Sequence, residues 1–209
     1  MSPGNSHTML VSVLLWCGLS LTIPMTTVHA QADSSDAIRQ LRQLQDKFSG
    51  STLQQTSSAE LVEVTTALNQ DGVRPGDLVS AAVILDIKEG WHINAHEPTL
   101  DYLIGTTLEP VRHPNITVTE YQYPTPTKLA LAFAGEELAV YEGRTTIFVK
   151  LRVAEGLTPG RYTLMNTLRI QACNDQMCLP PSTLAVPITV AVVPSGRTTA
   201  SINKELFSQ

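Results

Sequence analysis

From Glu60 onward, apolar and polar positions alternate with a period of two, the signature of strands that bury one face. Residues 61–68 (LVEVTTAL), 78–87 (LVSAAVILDI), 116–121 (ITVTEY), 145–153 (TTIFVKLRV), 161–170 and 184–193 all read this way. They are separated by turn chemistry: Arg74-Pro75-Gly76-Asp77, then Glu89-Gly90 before a short Trp91–Asn94 run, then Thr158-Pro159-Gly160. Short strands between Pro and Gly turns predict an all-β, immunoglobulin-like antiparallel β-sandwich. Pro187 within the last strand cannot donate to a ladder on both sides and predicts an edge position. Only one segment has helical period: Ile38, Leu41, Leu44 and Phe48 predict a short amphipathic helix over 33–48, with Asp33 to Asp36 as N-cap candidates. Residues 49–58 are rich in Ser, Thr and Gln and read as a linker.

The first thirty residues contain no Asp, Glu, Lys or Arg, and Met9–Met25 is a mostly apolar run ending in Thr27-Val28-His29-Ala30. That is the pattern of a secretory signal peptide. The stretch before the run lacks the usual Lys or Arg, which leaves an uncleaved anchor as the alternative. Anchoring through Cys17 is disfavoured by the bulky Trp16 beside it. The resulting organisation is a signal peptide at 1–30, a helix and polar linker at 31–58, the β-sandwich at 59–194 and a tail at 195–209 that reads as a frayed end or linker. No second apolar run reaches the roughly 20 residues a membrane helix needs. The mature chain is expected to be soluble and periplasmic, or otherwise extracytoplasmic.

Composition narrows the function classes. A net charge of -5 argues against a nucleic-acid partner, which demands a basic face. No Ser-His-Asp order, phosphate-binding glycine loop or nucleotide fingerprint stands out, and nothing in the pattern requires a cofactor. Asn115-Ile116-Thr117 matches a glycosylation acceptor, a pattern common by chance. Trp91 and Tyr141 are expected to pack in or against the core.

The chemistry concentrates in Gln171-Ala172-Cys173-Asn174-Asp175-Gln176-Met177-Cys178-Leu179-Pro180-Pro181. After signal removal Cys173 and Cys178 are the remaining cysteines, in an oxidising compartment that favours their pairing. Asn174 and Asp175 are turn formers, so two strands meeting here bring the sulfurs together. The ring is small and constrains little unfolded-chain entropy, so the bond is a poor staple. Exposed disulfides of this kind exchange more readily. Three readings stay open: an exchanging disulfide, a structural hairpin disulfide in a protein-binding sandwich, and a copper or zinc carrier using Cys173, Cys178, His92 and His96. No helix N-terminus activates the pair, and Asp175 nearby would disfavour a thiolate. A docked, specific partner therefore suits this pair better than random substrates.

At these residues the chain resembles the N-terminal periplasmic domain of the thiol:disulfide interchange protein DsbD. Gln171-Ala172-Cys173 and Cys178-Leu179-Pro180-Pro181 look like its cysteine strands, and Glu89–Asn94 like its early Gly-aromatic strand. Tyr123-Pro124 and Val140-Tyr141-Glu142-Gly143 are similar in order and distance, and the likeness spans about residues 60 to 194. The resemblance implies an immunoglobulin-like redox domain, a protein-disulfide reductase-like electron relay. Cys178 would form the mixed disulfide with a partner and Cys173 would resolve it. Its partners would be thioredoxin-fold electron donors and acceptors, with a membrane electron-transfer protein expected on a separate chain. A cap loop would lie in about Thr125 to Glu137, with Phe133 as shield. Where the family carries aromatics beside the site, this chain has His92, Asn94 and Met177.

Overall fold

The computed structural model describes residues 34–49, 56–131 and 134–208. Two compact units divide at Thr52 and Leu53. The first holds helix α1, Ser34–Ser49, whose apolar stripe of Ile38, Leu41 and Leu44 is exposed. The expected signal peptide lies outside the described residues, as does Phe133.

Among the described residues the second unit has a 3-10 turn at Ser58–Leu61 followed by eleven strands. They are β1 (Val62–Leu68), β2 (Leu78–Ile87), β3 (His92–Asn94), β4 (Thr107–Pro110), β5 (Ile116–Gln122) and β6 (Thr127–Ala130). The others are β7 (Glu137–Glu142), β8 (Arg144–Val153), β9 (Gly160–Ile170), β10 (Ala172–Cys173) and β11 (Ser182–Val192). Three sheets result, ordered β1-β2-β8-β5, β11-β9-β4 and β10-β3-β7-β6, and the ladders between these strands are antiparallel. The alternation read from the sequence marks the inward faces. Val79, Ala81, Val83, Leu85, Ile147, Val149, Leu151, Leu164, Leu168, Ile170, Val186, Ile188 and Val190 form one core. Burying such side chains removes apolar surface from water at about 25 cal/mol per Å².

Pro187 does sit on an edge strand, since β11 is terminal in its sheet. Tyr141 is buried and Trp91 packs against the core half-buried. Strands β4, β6 and β7 are short and lack a strong alternating run, which is why the residue pattern by itself did not mark them.

The tail departs from the expectation of a frayed end. Ile202 N–H donates to the Asn69 carbonyl (2.9 Å), Asn203 Nδ2 donates to the Leu68 carbonyl (2.8 Å), and Ala200 exchanges hydrogen bonds with Asp71. Phe207 then meets Phe148 with ring centroids 5.5 Å apart. Backbone groups left unpaired at the end of β1 give the tail its partners, so a polar composition is compatible with a fixed path.

The strand that matters for function is the one that changes sheets. β9 pairs with β11 and β4 up to Ile170, and after Gln171 the chain resumes as β10 and pairs with β3 instead. The two cysteines lie just beyond that switch.

Candidate functional site: the cysteine turn

Asn174 makes the turn. Its Oδ1 accepts from the N–H groups of Gln176 and Met177, both at 2.9 Å, and its own N–H donates to the Met177 carbonyl (2.9 Å). This side chain mimics a backbone turn, as Asn does best. Leu179 N–H donates to the Ala172 carbonyl (2.8 Å), so Cys173 and Cys178 face each other between these two bonds. Positions flanked this way bring side chains closest in an antiparallel pair. Their Cα atoms are 4.0 Å apart and the sulfurs are bonded.

Both arms are clamped from outside the turn. Ser58 Oγ donates to the Pro180 carbonyl (2.8 Å) and accepts from Ala172 N–H (3.0 Å). Gln171 Nε2 donates to the Leu179 carbonyl (3.2 Å) while its Oε1 accepts from Ile104 N–H (3.0 Å) and Asn94 Nδ2 (3.1 Å). Neither Ser58 nor Gln171 stands out chemically in the sequence. Ser58 falls at the end of a stretch that reads as linker, and Gln171 is legible only as part of the motif around the cysteines. The one local hint is Ser57-Ser58-Ala59-Glu60, whose spacing marks a helical start; Ser57 N–H indeed donates to Glu60 Oε2 (3.4 Å).

The two sulfurs differ in environment. Cys173 is fully buried, whereas Cys178 is half-buried. Cys178 packs against a small apolar cluster separate from the main core: Leu103, Leu131, Leu138 and Val140, with Leu100, Leu129 and Ala134 around them. Most of these residues come from the β6–β7 hairpin, and of the segment expected to hold a cap loop, 127–130 belong to β6 and Glu137 opens β7. On the solvent side Asp175 and Met177 are exposed, Met177 at 53%.

The strand register sets a row across the sheet: Glu142 on β7 faces His92 on β3, His92 faces Cys173 on β10, and Cys173 faces Cys178. Directly opposed residues share a face. His92 is therefore beside the disulfide, buried to 3% exposure, with its Nε2 unpartnered among the described residues. Burial pushes its pKa below the ordinary 6.5, with Glu142 and Asp175 pulling weakly the other way. Asn94, two residues on, is buried and gives its amide to Ile104 and Gln171, a role in holding the loop rather than in chemistry.

His96 goes elsewhere. Its ring stacks on Tyr123 at 3.7 Å and its Nδ1 lies 2.9 Å from the Thr106 carbonyl. Among the described residues no three His, Cys, Asp or Glu side chains come together as metal ligands. The metal-carrier reading of Cys173, Cys178, His92 and His96 thus has no geometric support.

No curated protein sequence matches this one. Solved structures similar to it include the N-terminal periplasmic domain of ScsB from Proteus mirabilis, 11% identical with a TM-score of 0.48, over 73% of this chain and 53% of that one. The chain thus spans about half the length of that protein. Another is the reduced N-terminal domain of DsbD from Neisseria meningitidis, 14% identical with a TM-score of 0.39, over 70% of this chain and 94% of that one. The family model described as "Thiol:disulfide interchange protein DsbD, N-terminal" matches residues 58–189, which contain the whole cysteine turn, its clamps and the satellite cluster. With well over half its length matched and a Cys173–Cys178 disulfide in place, the chain belongs to the DsbD N-terminal domain family.

Proposed function

We propose that this domain relays electrons by thiol-disulfide exchange through Cys173 and Cys178. The observation that carries the reading is the asymmetric exposure of one disulfide at a clamped turn, with Cys173 buried and Cys178 half-open. Exchange requires in-line access to one sulfur and a second thiol held within reach to resolve the mixed disulfide. In the reductive direction a partner thiolate attacks Cys178 Sγ, the Cys173–Cys178 bond breaks, and the electron pair of that bond leaves on Cys173. A second partner thiolate then attacks the partner sulfur of the mixed disulfide, releasing Cys178. Forwarding the electrons reverses the order: Cys178 attacks an acceptor disulfide and Cys173 displaces the acceptor.

Domains of this family act with thioredoxin-like partners in general. For this chain the donor and acceptor are thioredoxin-fold proteins, the donor being part of a membrane electron-transfer protein, and the place of action is the periplasm. No described helix is long and apolar enough to cross a membrane. Met177 and Asp175, exposed beside Cys178, would form part of the docking surface.

The test is the reduction potential of the native protein, read by thiol trapping in glutathione buffers. A value between about -120 and -270 mV supports a relay, and a value below about -300 mV marks a structural bond and overturns it.

A further inference from the structure

We infer that His92 is the general base that activates Cys173 when the domain passes its electrons on; this rests on the relay reading above. The resolving thiol is the less reactive partner by construction. Cys173 is fully buried, and a buried thiol holds its proton because the thiolate loses solvation. No helix N-terminus, lysine or arginine is paired with it across the sheet: its neighbours in the row are Cys178 on one side and His92 on the other. Something must take the proton from Cys173 before its sulfur can attack.

His92 is placed for that. It is the direct cross-strand partner of Cys173, on the same face of the sheet, and the two Cβ atoms of such a pair lie about 4.5–5.5 Å apart. Its Nε2 is buried and has no hydrogen-bond partner among the described residues. A buried polar atom left unpaired is costly, and native proteins keep few of them without a purpose. The charged groups acting on the ring are Glu142 on β7 and Asp175 in the turn, and its cross-strand partner on β10 is Cys173. Burial outweighs both carboxylates, so the imidazole is neutral at pH 7 and offers a lone pair. A neutral base beside a buried thiol is the arrangement that nucleophilic cysteines require.

The proton and electron balance is simple. Cys178 thiolate attacks the acceptor disulfide, a Cys178–acceptor bond forms and one acceptor thiolate leaves. Cys173 then gives its proton to His92 Nε2, and the Cys173 thiolate attacks Cys178 Sγ. The Cys173–Cys178 bond forms, the Cys178–acceptor bond breaks, and its electron pair leaves on the second acceptor sulfur. The imidazolium returns the proton to solvent or to that departing thiolate. The dithiol is oxidised and the acceptor disulfide is reduced.

The experiment uses the reduced protein and 5,5′-dithiobis(2-nitrobenzoate), which releases one coloured thiolate when Cys178 attacks and a second when Cys173 resolves. In His92→Gln the first phase is expected to keep its rate, and the second to slow by about a hundredfold near pH 7. The pH profile is the readout that a packing role would not move. The wild-type second phase should level off once the imidazole is neutral, whereas that of His92→Gln should climb about tenfold per pH unit with the free thiolate. An unchanged second phase, or a slower one with the wild-type profile, overturns the proposal. The unaltered protein supplies an independent check. The midpoint of its second phase should coincide with the His92 titration read by NMR in the reduced state, and a mismatch also overturns the assignment. A native protein whose disulfide resists dithiothreitol would instead defeat the relay reading itself, before His92 is at issue.

Discussion

Two apolar clusters in this domain are built on different principles. The main core is drawn from long strands whose alternating residues point inward, and its members, such as Leu168 and Ile188, are fully buried. The satellite cluster around Cys178 is drawn from a short hairpin and a loop, and half of it is only partly buried. The core sets whether the chain folds. The satellite sets how open one sulfur is. A relay needs that separation, because a surface that yields to a docking partner should not be the surface that holds the fold together.

The sharpest break of the comparison is at the cysteines. Cys178→Ser is expected to abolish capture of a thioredoxin-fold partner completely, while Cys173→Ser traps the mixed disulfide, both visible on non-reducing gels. Equal trapping by the two variants would refute the division of roles.

Next in size is a deletion in the core. Leu168→Ala should cost about 2–5 kcal/mol in denaturant unfolding and leave the reactivity of reduced Cys178 toward iodoacetamide unchanged in the folded state. Leu129→Ala, in the satellite, should do the opposite: a small loss of stability and faster alkylation of Cys178. If both variants behave alike, the two clusters are one cooperative unit.

Ser58→Ala lies between these extremes. It orphans the buried Ala172 N–H, at about 1–3 kcal/mol for a buried unsatisfied group, and removes the donor to the more exposed Pro180 carbonyl. Because both lie on the arms of the turn, the disulfide of this variant should also be reduced faster by dithiothreitol. An unaltered reduction rate would mean that the clamp serves the fold alone.

The smallest expected effect is a pH dependence. The folded state depresses the pKa of His92, so the unfolded chain takes up its proton first as the solution is acidified. The stability due to the neutral imidazole is present above pH 6.5, the ordinary value, and is lost as pH falls through the depressed one. His92→Phe should flatten this acid limb in thermal melts recorded between pH 7 and pH 5. A limb of unchanged slope would show that other groups carry it.

Much of this was readable along the chain. The alternation in 78–87, 145–153 and 161–170 marks strands because burying one face of a sheet imposes a period of two on any sequence that does it. The cysteine turn was readable because Asn174 makes its turn with its own side chain, a local interaction. The family motif around Cys173 and Cys178 was legible for the same reason: its residues are close in sequence.

What tertiary structure decided is everything that depends on residues far apart in the chain. Ser58 reads as linker, yet it closes the cysteine arms more than 110 residues away, with a separation of 114 to Ala172. The family resemblance sets His92 near the cysteines, and the register of β3 with β10 makes it the direct cross-strand partner of Cys173. The tail reads as frayed because its composition is polar, and it is held by backbone groups at the end of β1 that no composition reveals. Periodicity and turn chemistry are properties of neighbours along the chain, so sequence determines them by itself. Which sulfur is open, and which base lies beside the other, is settled when a strand leaves one sheet after Ile170 and joins another at Ala172.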